Sequence, residues 1–200
     1  MEPIKIVTGI MAPMMDDNID TDVIMPKQFL KGIDREGLDK GLFFDLRFNK
    51  SGECNQDFVL NKAMYRGAKV LIVGDNFGCG SSREHAVWGL KQLGIRILIG
   101  TSFAGIFNDN CARNGILTIT LDHDLVLFIA EQAKKGVSIT VDLSEQLIAV
   151  AEKKILFDID SVKKYMLLNG LDAIDLTLQY VKEIKSFEKL YFEKNHWLKI

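Results

Sequence analysis

The hydrophobic pattern alternates between short apolar runs and segments of helical period. Val70–Val73 and residues 95–99 are continuous, largely β-branched runs, which is typical of strands buried on both faces. From residue 83, apolar positions recur at helical spacing up to Gly94, which is placed as a helix stop. The pattern therefore predicts two parallel strands joined by a helix.

The rest of the chain continues this alternation. A strand over 4–10 leads into a predicted loop at 11–13, in an outer β layer. The other predicted elements are short helices at 26–30 and 37–44, a helix at 102–114 capped by Ser102 and stopped by Gly115, a strand at 117–121, a helix at 122–135, strands at 137–143, 147–150 and 155–159, and helices from 161 onward. We therefore expect an α/β fold with a central parallel sheet, flanking helices, a second β layer and a helical C-terminal tail. Residues 1–160 are predicted to form one domain, and 161–200 a helical extension packed on it.

The candidate chemistry lies in the connection between the first buried strand and its helix. Gly78 and Gly80 permit backbone conformations that are closed to other residues, and Ser81 or Ser82 can cap the helix. Free N–H groups and the positive end of the helix dipole would then converge on this turn. Such a geometry predicts an anion-binding site.

Arg83, in the first predicted helical turn, supports a bound anion. A cation is unfavourable beside the positive end of a helix dipole unless it faces a negative charge, such as a ligand carboxylate. The alternative is an ordinary turn in which a serine caps the helix, Arg83 pairs with Glu84 or Asp75, and nothing binds. The turn lacks the third glycine of a dinucleotide fingerprint, the lysine of a P-loop and the glycine of a nucleophile elbow, so these three motifs are absent.

Composition and charge exclude several classes of protein. With 200 residues, 48% of them hydrophobic, and a net charge of −2, the chain can bury one core and shows no electrostatic case for binding nucleic acid or an anionic membrane. Because we find neither a targeting segment nor an apolar run of about 18 residues, a cytoplasmic protein is expected. Cys54, Cys79 and Cys111 lack the paired spacing of zinc or iron–sulfur ligands, so we predict free thiols and no metal held by this chain.

Two other groups of residues suggest different chemistry. The acidic run 16–22 resembles a calcium loop, but Thr21 and Lys27 stand where the glycine and the bidentate glutamate should be. Its carboxylates are predicted to serve turns and helix caps. His123, flanked by two aspartates, could be a general base, although a solvated histidine at a helix start is the expected role.

Residues 76–86, Asn-Phe-Gly-Cys-Gly-Ser-Ser-Arg-Glu-His-Ala, resemble the signature of the swivelling domain of the aconitase superfamily. The match continues through Asp-Thr-Asp-Val-Ile at 20–24 and through several positions between 102 and 115. It covers roughly the first two thirds of the chain closely. The resemblance implies a swivelling β/β/α domain, in the form of a small subunit that is active only with a separate large dehydratase subunit.

The resemblance also implies roles for the residues of the turn. Ser81 would be the base that removes a C–H proton beside a carboxylate, which requires an alkoxide stabilised by N–H donors and cations. Arg83 would clamp a substrate carboxylate through two hydrogen bonds. The other implied substrate-binding residues are Ser82, Gly80, Cys79 and Asn76, with Asp20 to Asp22 at the rim of the site. The superfamily uses a second arginine on the substrate, for which this chain offers Lys31, Arg35 and Arg47.

By resemblance, the Lewis acid that accepts the leaving hydroxyl is a [4Fe–4S] cluster on the large subunit, and this chain binds no cofactor. The implied reaction is a hydro-lyase isomerisation of 2-isopropylmalate and 3-isopropylmalate through 2-isopropylmaleate, in leucine biosynthesis. Related dehydratases acting on citraconate or homoaconitate are alternative assignments, and so is a non-catalytic module that binds an anion. A serine hydrolase using Ser81 and His85 is disfavoured because no orienting carboxylate is evident.

Overall fold

A computed structural model describes residues 1–30 and 36–198. Within these residues, seven strands form one mixed sheet in which the first four in chain order run parallel. The strands are β1 (Ile6–Met14), β2 (Val70–Val73), β3 (Ile97–Gly100), β4 (Leu117–Thr120), β5 (Ser138–Asp142), β6 (Leu147–Val150) and β7 (Lys153–Leu156). Their order across the sheet is β4-β3-β2-β1-β5-β6-β7. The predicted parallel strand pair and the predicted hairpin of β5 and β6 are both confirmed.

The two halves of the sheet meet on β1. Its residues 6–10 pair antiparallel with β5, whereas its residues 11–14 pair parallel with β2. The predicted second β layer is thus the antiparallel half of one continuous sheet. The predicted loop at 11–13 is wrong, because these residues are the second half of β1. Pro13 is tolerated there because β5 pairing has ended, so only one edge of the strand is in a ladder at that point.

Helices and short 3₁₀ turns connect and cover the strands. The helices are α1 (Thr21–Ile24), α2 (Phe44–Arg47), α3 (His85–Leu93), α4 (Gly105–Asn114), α5 (His123–Lys134), α6 (Ser161–Asn169), α7 (Ala173–Leu178) and α8 (Val181–Lys194). The 3₁₀ turns are Lys27–Leu30, Leu38–Lys40, Val59–Asn61, Ala63–Tyr65 and His196–Leu198. The predicted helix stops are confirmed, since Gly94 and Gly115 adopt the left-handed conformation with φ of 100° and 81°.

The predicted serine caps are wrong. α3 begins at His85 with Glu84 as its N-cap residue, and neither Ser81 nor Ser82 caps it. α4 begins at Gly105 and likewise has no side-chain cap, so Ser102 does not cap it. The hydroxyls of Ser81 and Ser102 are instead used in hydrogen bonds to distant parts of the chain. At both sites the serine hydroxyl forms a tertiary hydrogen bond in place of the local helix cap that the sequence predicts.

Strands β2 and β3 are buried on both faces of the sheet, as their sequences predict. Val70 and Ile72 of β2 contact the core shared with α5 and the antiparallel strands. Leu71 and Val73 point to the opposite core, which is shared with α3 and α4. This two-sided burial holds the carboxyl end of β2, and the turn that follows it, in a fixed position.

The C-terminal segment is helical, as its period predicts. α6 packs against α4 and buries Met166 and Leu167, while α7 and α8 bury none of their residues. The division of the chain at residue 160 stays a prediction. Among the described residues, no helix combines the length and hydropathy that a membrane span needs.

Candidate active site

The connection from β2 to α3 is an irregular turn that depends on two glycines. Gly78 and Gly80 have φ of 78° and 93°, in the region that favours glycine. A Cβ atom on Gly78 would lie 2.2 Å from the ring of Phe107, so the turn passes directly against α4. Both glycines thus adopt the backbone conformations that they were predicted to permit, and at Gly78 close packing is a second reason for glycine.

The segment that enters α1 forms the other wall of this turn. The Gly78 N–H donates to the Ile19 carbonyl at 2.8 Å, and the Thr21 N–H donates to the Cys79 carbonyl at 2.9 Å. Asp20 caps α1 by accepting the Val23 N–H at 2.8 Å, as the capping prediction for the acidic run requires. Residues 20–22 are therefore held beside the turn.

Ser81 is bound to Thr21 through side chain and backbone. The two hydroxyl oxygens are 2.8 Å apart, and the Ser81 N–H donates to the Thr21 Oγ1 atom at 3.2 Å. Thr21 is 1% exposed, whereas Ser81 is only partly buried. The Ser81 hydroxyl is thus fixed by a buried residue, while Ser81 as a whole remains partly exposed.

α4 supports the turn from the side of Ser82. The Asn110 amide donates to the Ser82 carbonyl at 3.3 Å, and the Asn114 amide donates to the Glu84 carboxylate at 3.0 Å. Thr21 and Asn110 are the two polar residues whose side chains are classed as buried among the described residues, and both contact this turn. Buried polar groups need hydrogen-bond partners, so their placement here specifies the conformation of the turn.

Arg83 forms an ion pair with Asp22. It lies two residues before α3, not in its first turn, and its partner is neither Glu84 nor Asp75, so both expectations are corrected. The carboxylate of Asp22 supplies the negative charge that a half-buried guanidinium needs. Sequence inspection missed this contact because the two residues are 61 positions apart.

Asn76 and Cys79 are both tied to Asn18. The Asn76 amide donates to the Asn18 Oδ1 atom at 2.9 Å, and the Cys79 thiol donates to the Asn18 carbonyl at 3.4 Å. Asn76 adopts a left-handed conformation with φ of 52°. Both residues are partly exposed, and both lie in the same turn as Ser81 and Arg83.

Asp75 is a fixed negative charge at the start of the turn. Ser102 and Thr101 donate hydrogen bonds to its Oδ1 atom, and these bonds lower the pKa of the carboxyl, the Ser102 bond having the larger effect. Ser102 also accepts the Asn76 N–H at 2.8 Å. Ser102 thereby links the end of β3 to the turn after β2.

Residues 1–124 match the aconitase C-terminal domain family. The chain belongs to this family. It is 57% identical over 202 residues to 3-isopropylmalate dehydratase small subunit 1 of Mannheimia succiniciproducens, covering 100% of both chains. It is also 57% identical to small subunit 2 of Salmonella typhimurium, covering 100% of this chain and 97% of that one. The crystal structure of a 3-isopropylmalate dehydratase from Methanocaldococcus jannaschii has a TM-score of 0.66 and 28% identity, covering 92% of this chain and 99% of that chain.

The predicted resemblance and fold class are therefore confirmed. Of the residues 76–86 that carry the resemblance, 76–84 lie in the turn between β2 and α3, and the last two begin α3. The assignment of catalytic and substrate-binding roles to those residues stays a prediction.

Arg47 is not brought to this turn of the aconitase-family domain. Its guanidinium donates to the carbonyls of Asp39 and Leu42 at 2.8 and 3.3 Å, and it lines a cavity of about 310 Å³ with Ala68 and Leu93. Those two residues lie before β2 and at the end of α3, which is the amino edge of the strands, opposite the Ser81 turn.

Two of the three candidates for the second substrate contact, Lys31 and Arg35, lie outside the described residues. His123 is exposed at the start of α5, as expected of a solvated histidine.

The three cysteines do not fit an iron–sulfur cluster. Cys54 is exposed, Cys79 is partly buried in the turn, and Cys111 is buried in α4, where desolvation raises the pKa of its thiol well above the usual range. A cluster ligand has to be a thiolate, which burial of this kind disfavours. All three are free thiols, as predicted. Among the described residues, no group of three histidine, cysteine or acidic side chains is arranged to hold a metal.

Proposed function

We propose that this chain is the small subunit of a two-subunit hydro-lyase that interconverts 2-isopropylmalate and 3-isopropylmalate through 2-isopropylmaleate, in leucine biosynthesis. The observation that carries the proposal is the 57% identity to a small subunit of this enzyme over the full length of both chains. The turn between β2 and α3 is this chain's share of the active site. Placement in the cytoplasm stays a prediction.

Ser81 is the proposed base. As an alkoxide it accepts the proton of a substrate C–H bond, the electron pair of that bond forms the carbon–carbon double bond, and hydroxide leaves the neighbouring carbon. Among the described residues, no acceptor takes the backbone N–H groups of Ser82 and Arg83. Free N–H groups of this kind are the donors that stabilise a developing oxyanion. The Ser81 hydroxyl also does not cap α3. A structural role as a helix cap is thus removed, which favours the catalytic assignment of Ser81.

Arg83 is the proposed clamp for a substrate carboxylate. In the free chain Asp22 neutralises its charge, and a substrate carboxylate would take up that interaction through two parallel hydrogen bonds. Ser82, Gly80, Cys79 and Asn76 complete the proposed substrate cradle. Gly80 allows the turn to pass close to Asp20, because it has φ of 93° and a Cβ atom there would lie 3.3 Å from the Asp20 Cβ atom.

Replacing Arg83 with lysine is expected to raise the KM for isopropylmalate at least about tenfold, because an ammonium group cannot make a planar two-pronged contact with a carboxylate. The measurement is steady-state kinetics of the assembled enzyme. Arg113→Lys, a variant of an exposed arginine in the last turn of α4, is the matched control and should leave KM unchanged. Equal KM values for Arg83→Lys and the unaltered enzyme would remove Arg83 from the substrate site.

The large subunit is the proposed carrier of the [4Fe–4S] cluster and of the Lewis-acid chemistry that receives the hydroxide. The cysteines of this chain do not fit such a cluster. We therefore expect the purified chain, after incubation with iron and sulfide under reducing conditions, to bind no cluster, as read from its visible absorbance. A stoichiometric cluster on the lone chain would contradict this assignment.

The function is tested by assaying the chain with and without its large subunit on 2-isopropylmalate, citraconate and homoaconitate. We expect turnover only in the assembled complex and the highest kcat/KM with 2-isopropylmalate. A higher kcat/KM with citraconate or homoaconitate would instead assign the chain to a dehydratase that acts on that substrate. Tight binding of a dicarboxylate by the lone chain, without turnover in the complex, would support an anion-binding module instead.

A further inference from the structure

The side chain of Thr21 lies beneath the proposed base, and among the described residues its hydroxyl forms hydrogen bonds with Ser81 alone. Its side chain is 1% exposed, and its Oγ1 atom is 2.8 Å from Ser81 Oγ, 3.2 Å from the Ser81 nitrogen and 3.4 Å from the Ser81 carbonyl oxygen. Its backbone is also fixed, because its N–H donates to the Cys79 carbonyl at 2.9 Å and its carbonyl accepts the Met25 N–H at 2.9 Å. The hydroxyl is therefore held against Ser81 by a residue whose backbone is itself fixed.

The direction of the hydrogen bonds follows from the donors available. The Ser81 N–H can only donate, so one lone pair of the Thr21 oxygen is occupied by it. The single proton of the Thr21 hydroxyl is then directed to one of two acceptors, and Ser81 Oγ at 2.8 Å is nearer than the Ser81 carbonyl at 3.4 Å. When Ser81 is an alkoxide it can only accept, so Thr21 becomes its donor. Hydrogen bonds to an ionised oxygen are roughly twice as strong as those between neutral groups.

We propose that Thr21 is a positioning residue for the reaction, whose hydroxyl holds Ser81 Oγ in place and donates to its alkoxide form. This inference rests on the proposed function, because it takes Ser81 as the base. Thr21 has no contact with the substrate in this role; it acts through Ser81. A buried donor in a site of low dielectric constant favours the charged form of its acceptor and so lowers the pKa of the base.

The test compares Thr21→Val, which keeps the shape and removes the hydroxyl, with Thr21→Ser, which keeps the hydroxyl. In the enzyme assembled with its large subunit, Thr21→Val should lower kcat by about 10²-fold, the loss typical of one oxyanion donor, while Thr21→Ser should stay within about threefold. Thr118→Val is the matched control, since it removes a threonine hydrogen bond of 2.6 Å to Asn108, outside the turn. Its kcat should be unchanged.

The pH profile separates this role from a structural one. Removing a donor to the alkoxide raises the pKa of the base, so the pH at which kcat stops rising should be higher in Thr21→Val than in Thr21→Ser and the unaltered enzyme. A plateau reached at the same pH in all three enzymes, an unchanged kcat, or an equal loss in Thr21→Ser would each overturn the inference. Thr21→Ala, which also lacks the hydroxyl, gives the same comparison if the valine variant fails to assemble.

A double variant distinguishes failure of this inference from failure of the proposed function. In the Ser81→Ala background, Thr21→Val should cause no further loss of kcat, because the group on which it acts is already gone. If Ser81→Ala alone keeps full turnover, the proposed function of the turn fails. If Ser81→Ala is inactive while Thr21→Val is fully active across the pH range, only the role of Thr21 fails.

Discussion

Replacing Ser81 with alanine is expected to lower turnover of the assembled enzyme by a factor on the order of 10² or more, which is the contribution of a positioned base. Its stability should change little. Ser81 does not cap α3, and within residues 1–30 and 36–198 its hydroxyl makes one hydrogen bond, to Thr21, worth about 0.5–1.5 kcal/mol. Kinetics, thermal unfolding and gel filtration on one preparation measure turnover, stability and assembly together.

The control for this prediction is Ser186→Ala, which removes an exposed serine hydroxyl that donates to a carbonyl within α8. Its turnover should match that of the unaltered enzyme. A Ser81→Ala complex that assembles and keeps full activity would defeat the catalytic assignment, and an anion-binding role for the turn would then explain the geometry better.

Gly78→Ala is expected to lower the free energy of unfolding by about 2–5 kcal/mol. The left-handed conformation costs an alanine about 1–2 kcal/mol, and forcing a methyl group into a packed core costs about 1–3 kcal/mol more. The second cost applies because the new Cβ atom would lie 2.2 Å from the fully packed ring of Phe107. Urea denaturation of the isolated chain measures the loss, and turnover should fall with it because Ser81 lies in the same turn.

Gly80→Ala separates the two causes. Gly80 has a similar φ of 93°, but a Cβ atom there would meet its nearest neighbour only at 3.3 Å. We therefore expect a smaller loss, close to the conformational cost alone. Equal losses of unfolding free energy in the two variants would show that the contact with Phe107 does not contribute to the destabilisation.

The elements of the parallel half could be predicted from local patterns. β2 and β3 are continuous apolar runs, and apolar periodicity together with Gly94 indicated α3 and its end. Such patterns are informative because burial on both faces requires an uninterrupted apolar run, and a left-handed helix end favours glycine. Pro13 led to the wrong prediction of a loop at 11–13. A proline signals a turn in sequence, yet it is accommodated in β1 where only one edge of that strand is paired.

The residues of the candidate site could be named from their motif, but their contacts could not. The sequence shows Ser81 and Arg83 two positions apart, after two glycines, and it indicates that the turn can bind an anion. It does not show that Thr21 holds Ser81, that Asp22 holds Arg83, or that Asn110 supports Ser82. These partners lie 28 to 61 positions away in the chain, and only the pairing of β1 with β2 and the packing of α4 bring them together. Local propensity predicted helix caps at Ser81 and Ser102, whose hydroxyls are in fact bound by residues distant in sequence, because the tertiary structure offers these serines partners that compete with a local cap.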